Sequence, residues 1–135
     1  MIALVDYGAG NLRSVEFALE RLGVPWRRVA SGGDFAEADS VILPGVGAAE
    51  SAMRELERRD LVTSLRETNL PILGICLGMQ LFTGRSTEGL EGVSCLGLLP
   101  GTTARIGAEG TGFDLPLPHI GWNPTMLRED PLFQG

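Results

Sequence analysis

The sequence predicts an α/β fold, a mostly parallel sheet with helices on both faces. Two observations predict it. Short apolar runs alternate with longer stretches whose apolar residues recur at helical spacing, and such alternation builds a sheet through helical crossovers. The early runs are also continuous rather than alternating in polarity, as in strands buried on both faces.

The elements follow in order. Ile2-Ala3-Leu4-Val5 is the first strand. Asp6-Tyr7-Gly8-Ala9-Gly10-Asn11 forms a turn, with Asp6 fixing it through backbone hydrogen bonds and Asn11 placed to cap the next helix. Leu12, Val15, Leu19 and Leu22 lie on one face of that helix, and Gly23 stands where its C-terminal cap belongs. Trp26 to Ala30 is the second strand, with Trp26 packed at a sheet edge. Ser40-Val41-Ile42-Leu43 is the third, and Pro44-Gly45-Val46-Gly47 is expected to break it. A helix runs on through Met53 and Leu56, and Leu61 to Glu67 continues as helix. The charges from Arg54 to Asp60 form a solvated face of mixed sign. Pro71 to Ile75 is the fourth strand, and Leu77 to Phe82 starts another helix. From about Thr83 onward Gly and Pro become frequent, so short strands and loops are expected. No domain boundary is evident, and residues 1–135 read as one domain.

Composition narrows the partners. Of the 135 residues 44% are hydrophobic, enough for a core, and the formal net charge is -6. All 11 basic residues are Arg, a compositional trait, since Arg and Lys serve equally on most solvated surfaces although they differ at bidentate sites. The acidic balance argues against a nucleic-acid partner, which needs clustered positive charge. The only cysteines are Cys76 and Cys95, too few for a disulfide framework, which favours a reducing compartment. The N-terminus has no basic region before its apolar residues, so it is not read as a signal peptide. No apolar run approaches the roughly 18 residues of a membrane span. A cytoplasmic protein is the expectation, with no cofactor and no metal.

Gly74-Ile75-Cys76-Leu77-Gly78 has the form G-x-C-x-G, the thiol version of a nucleophile elbow. The chemistry accounts for the spacing. A nucleophile must stand out on a sharp strand-to-helix turn, and glycines two residues to either side let neighbouring backbone pass. The helix that follows directs its N-terminus at the thiol and favours thiolate. The Leu77 amide then faces a developing oxyanion. The competing reading is a buried cysteine between packing glycines, but the preceding strand and following helix supply the context an elbow needs. Ligands of a parallel sheet bind beyond the carboxyl ends of its strands, so the Pro44–Gly47 loop is expected beside Cys76. Cys95 reads as an inert small apolar residue.

Four co-linear segments carry a resemblance. Gly74-Ile75-Cys76-Leu77-Gly78-Met79-Gln80-Leu81 looks like the nucleophile motif of class I glutamine amidotransferases, which have a flavodoxin-like sheet. Asp6-Tyr7-Gly8-Ala9-Gly10-Asn11-Leu12, Leu43-Pro44-Gly45-Val46-Gly47-Ala48 and Pro118-His119-Ile120-Gly121-Trp122-Asn123 resemble segments of their histidine-biosynthesis branch. That branch comprises the glutaminase subunits of imidazole glycerol phosphate synthases. The resemblance implies hydrolysis of glutamine to glutamate and ammonia, with ammonia passed to a cyclase subunit built as a (β/α)8 barrel. It implies that Cys76 forms a glutamyl thioester, and that the Leu77 amide with an amide of Val46-Gly47 forms the oxyanion hole. Gly47 and Gln80 would hold the amino-acid end of glutamine, and Glu88 matches an acidic position near the substrate. Gly8 to Asn11, Gly10 and Asn11 among them, and Trp122 would lie near the cyclase interface.

The pattern fails at one place. The family's thiol works with a His and a Glu from a late F-H-P-E-like segment. This chain has one histidine, His119, which belongs to the P-H-x-G-W-N segment and has no Pro-Glu after it. His119 is therefore read as structural or interfacial. The chain is expected to be the N-terminal and central part of a longer domain, with its C-terminal portion missing, and to have little glutaminase activity alone. A free thiol ionises near 8.5 and is only slightly charged at neutral pH. The alternatives are an inactive scaffold of the same fold, or an amidotransferase of another pathway.

Overall fold

The computed structural model describes residues 1–33, 35–88, 92–105, 120–127 and 129. The chain divides into two compact units, Met1–Arg105 and Ile106–Gly135.

The first unit carries a four-stranded sheet of β1 (Ile2–Val5), β2 (Trp26–Val29), β3 (Ser40–Gly45) and β4 (Ile72–Cys76), in spatial order β2-β1-β3-β4. Every pairing is parallel. From β1 the chain moves one way to β2, and from β3 it moves the other way to β4. Right-handed crossovers then put their helices on opposite faces. Helix α1 (Leu12–Leu22) lies on one face, where Leu19, Val15 and Leu12 pack with Leu4 and Ile42. Helices α2 (Ala49–Arg58) and α3 (Leu61–Glu67) lie on the other, packing Ala52, Met53, Leu56, Leu61 and Leu65 against Ala3, Val5, Val41 and Leu43. Each of these leucines is fully buried, which contributes about 2 kcal/mol relative to exposure. Alternation along the strands sorts the residues: Ala3 and Val5 face one layer, Leu4 the other.

The caps match the sequence. Asn11 accepts a hydrogen bond from the Ser14 amide at 3.4 Å, and Gly23 ends α1 in the left-handed conformation. Arg59 and Asp60 separate α2 from α3, with Asp60 at φ 57. On the exposed side Arg58 grips Glu55 at 2.7 Å.

Two expectations are corrected. Pro44 does not break β3, which runs through to Gly45. Val41 donates its amide to Pro71, toward β4, so by alternation the Pro44 position turns toward β1. The β1 pairing has already ended at Ile42, so the missing N–H takes no bond from the ladder. The helix after Cys76 is also shorter than expected: α4 covers only Leu77–Gln80. The chain then folds back, the amides of Leu96, Gly97 and Leu99 donating to the carbonyls of Leu81, Thr83 and Phe82. These bonds take up carbonyls that a longer helix would have used.

Beyond Thr83 come the short strands the sequence predicts: β5 (Arg85–Ser86), β6 (Val93–Ser94) and β7 (Thr102–Thr103), in order β6-β5-β7. Arg66 of α3 ties this region down, donating to the carbonyls of Leu96 at 2.8 Å and Cys95 at 3.0 Å. In the second unit the described residues, 120–127 and 129, form neither helix nor strand. No described helix is long and apolar enough to cross a membrane.

Candidate active site

The order β2-β1-β3-β4 reverses direction between β1 and β3, and such a switch point opens a crevice at the carboxyl ends of the strands. The turns after β1 and β3 meet there. A Cβ on Gly10 would stand 3.8 Å from the backbone of Gly45. Cys76 lies on the next strand, directly paired with Gly45.

Strand β4 passes into α4 with no intervening residue, and Cys76 is the hinge. Its backbone sits at φ 55, ψ -117, and its side chain is exposed. A non-glycine residue in such a conformation costs of the order of 1–3 kcal/mol and persists only where its surroundings enforce it. The flanking glycines are that enforcement. A Cβ on Gly78 would lie 1.8 Å from the Leu43 carbonyl oxygen, and one on Gly74 would lie 2.6 Å from the Met79 amide nitrogen. Both positions are closed to any other residue unless backbone moves. The spacing expected of an elbow is thus explained by contacts on either side of the thiol.

The oxyanion candidates sit around it. Leu77 opens α4, so its amide has no acceptor within the helix. Val46 and Gly47 follow the residue paired with Cys76, both are exposed, and Gly47 has φ 93. An exposed thiol between a helix-opening amide and a glycine turn can add to a carbonyl while donors receive the new negative charge.

The β1–α1 turn is held by charges. Asp6 accepts from the Gly8 amide at 3.2 Å, as the sequence predicts, and lies 3.5 Å from Arg28. Arg28 also bonds Glu16 at 2.5 Å, and Glu16 keeps only 1% of its surface exposed. The Arg28 guanidinium, with Arg13 beside it, holds the Glu16 carboxyl below its ordinary value. The sequence reading missed this pair, although Glu16 falls on the buried helical stripe between Leu12 and Leu19, where an acid requires a partner. It also gave no role to Tyr7. That residue is fully buried, and its hydroxyl would meet a Cβ on Gly45 at 2.6 Å.

The remaining candidates are placed less closely. Gln80 ends α4 and is half-buried, its carbonyl accepting from Thr83 and Thr103. Glu88 is exposed two residues beyond β5, its amide donating to Ser86. Asn11 is engaged as the α1 cap. Trp122 is exposed in the second unit, and His119 lies outside the described residues. Cys95 is buried, and burial pushes its thiol above the ordinary value. Among the described residues no group of three His, Cys, Asp or Glu could hold a metal ion.

The family model described as "Glutamine amidotransferase class-I" matches residues 3–125. The chain is similar to the "Imidazole glycerol phosphate synthase subunit HisH" of Idiomarina loihiensis, 51% identical over 129 residues, covering 96% of this chain and 63% of that protein. It is 47% identical to the protein so named from Xanthomonas axonopodis pv. citri, covering 99% of this chain and 65% of that one. With the Bacillus cereus (strain G9842) relative of the same name it shares 48% identity, covering 100% and 64%. The chain thus spans just under two thirds of the length of these relatives.

Proposed function

Because the chain belongs to the class I glutamine amidotransferase family, we propose that it carries the thiol half of a glutaminase. The protein is the ammonia-producing subunit of an imidazole glycerol phosphate synthase in histidine biosynthesis. Cys76 attacks the side-chain amide carbon of glutamine, and the carbonyl oxygen takes negative charge between the Leu77 amide and the Val46-Gly47 turn. Collapse of this adduct expels the protonated amide nitrogen as ammonia and leaves a glutamyl thioester on Cys76. Water then releases glutamate. Gly47, Gln80 and Glu88 hold the substrate. Gly10, Asn11 and Trp122 face a cyclase subunit with a (β/α)8 barrel, which receives the ammonia. The protein works in the cytoplasm.

The observation that carries this reading is the backbone of Cys76. The strained φ and ψ place an exposed thiol at the carboxyl edge of a parallel sheet. The names of the relatives support the pathway. The family's proton carriers have no matching segment in these 135 residues, whose one histidine is His119, so this polypeptide by itself is expected to turn glutamine over slowly at best. The thiol is therefore tested without turnover. Incubation with a glutamine-analogue electrophile, followed by peptide mass mapping, should place the adduct on Cys76 and leave Cys95 free. Equal labelling of both cysteines would sink the proposal.

A further inference from the structure

We propose that Tyr7 is a positioning residue for the nucleophile: its hydroxyl, buried beside Gly45, the residue paired with Cys76, is an internal hydrogen-bond donor that becomes satisfied when Cys76 is charged. The idea rests on reading Cys76 as a nucleophile and concerns what supports it from below.

Tyr7 is completely buried, and its hydroxyl has no hydrogen-bond partner among the described residues. A buried hydroxyl left unpaired costs roughly 1–3 kcal/mol, and such a group calls for an explanation. Its location supplies one. A Cβ on Gly45 would be 2.6 Å from the Tyr7 oxygen and 2.8 Å from the Gly78 amide nitrogen. The hydroxyl and the first turn of α4 therefore crowd the same point, and Gly45 is the residue paired with Cys76. Gly45 has to lack a side chain because the Tyr7 oxygen and the Gly78 amide together border that space.

The chemistry agrees with the placement. Burial, with the charge of Cys76 adding to it, pushes the Tyr7 hydroxyl up to about 12. It therefore stays protonated throughout the range in which a thiol ionises, and can offer the thiolate a donor but never a competing charge. Two charged groups border this turn: Asp6, engaged with Arg28 and the Gly8 amide, and Arg59, whose guanidinium lies 3.2 Å from where a Cβ on Gly8 would stand and pairs with Glu55 at 3.6 Å. The signal in the sequence is slight, a lone tyrosine one residue after the first acid.

Two measurements on the full chain test the proposal. The first is alkylation of Cys76 by iodoacetamide as a function of pH, which requires no recognition of glutamine. Tyr7→Phe removes one oxygen and keeps the ring. It should slow alkylation at pH 7 roughly tenfold, the size of one hydrogen bond to a charged group, and move the rate profile to higher pH. Thermal stability should stay level or rise, because an unsatisfied hydroxyl has gone. A merely structural tyrosine would shift stability and leave the pH profile where it was. The second measurement needs no variant. Tyr7 is the chain's only tyrosine, so ring-carbon 13C labelling gives one hydroxyl-bearing carbon signal. That signal should move with the pH midpoint of Cys76 alkylation. An unchanged profile in Tyr7→Phe, or a 13C signal indifferent to Cys76, overturns the proposal. Failure of glutamine-analogue labelling with these two responses intact would overturn only the glutaminase reading.

Discussion

Among the described residues two that are not glycine hold a positive φ, Asp60 and Cys76, and they do so for different reasons. Asp60 sits at φ 57, ψ 20, inside the ordinary left-handed well, between α2 and α3. Short polar side chains visit that well at small cost. Cys76 has nearly the same φ but ψ -117, far from that well. Nothing in the preferences of cysteine favours it there. Each turn is pressed by a glycine, Gly32 against the Asp60 carbonyl and Gly78 against the Leu43 carbonyl. The packing is alike, and the conformational cost is not. Asp60 is a residue suited to its turn, whereas Cys76 is held in a turn suited to its thiol.

The largest expected effect comes from filling the glycines. A Cβ at position 78 would fall 1.8 Å from a backbone oxygen, and one at position 32 would fall 2.2 Å from another. Gly78→Ala and Gly32→Ala should each destabilise by about 3 kcal/mol or more, toward the severe end for single substitutions, with Gly78→Ala the worse. Urea unfolding followed by circular dichroism measures this. Wild-type midpoints would show that both turns yield easily.

An opposite sign is expected for the strained residue itself. Cys76→Gly removes the nucleophile yet should stabilise by about 1 kcal/mol, the relief of strain less the entropy that glycine adds to the unfolded chain. Asp60→Gly should change stability by only a few tenths of that, since its turn stores little strain. Equal responses from the two substitutions would erase the contrast.

Acid separates the surroundings of the two turns by the smallest margin. Arg28 holds the Glu16 carboxyl low beside the crevice, and Arg58 holds Glu55 low near Asp60. A carboxyl lowered in the folded state contributes stability above its unfolded value, near 4.3, and loses it as pH falls through the folded one. Both pairs therefore support the fold at neutral pH and fail in acid. Glu55 is partly exposed and Glu16 is covered, and solvent screens an exposed pair more strongly. Glu16→Gln should flatten the acid limb of a stability–pH curve more than Glu55→Gln does. A larger change from Glu55→Gln would reverse the ranking.

Much of this was legible from residue order. The β1 apolar run, the Asn11 cap, the Gly23 stop and the G-x-C-x-G spacing each depend on neighbours within a few positions, and the structure places them as the local rules require. What stayed hidden depends on partners distant in sequence. Pro44 continues β3 only because the pairing with β1 ends at Ile42. Helix α4 stops early because residues 96–99 return to bond its neighbours. Tyr7 gains meaning from Gly45 and Gly78, which no periodicity joins to it. The candidate thiol was readable because an elbow is a local device. Its support was not, because support is tertiary.

Pro44 carries a consequence for how the strands find one another. A growing parallel ladder can slip by two residues and still put like side chains on like faces. At Pro44 that slip meets a position with no amide on the side that β1 would approach. The proline thus acts as an end stop during assembly. It penalises any pairing in which β1 runs past Ile42. One imide ring therefore guards the alignment of the two central strands.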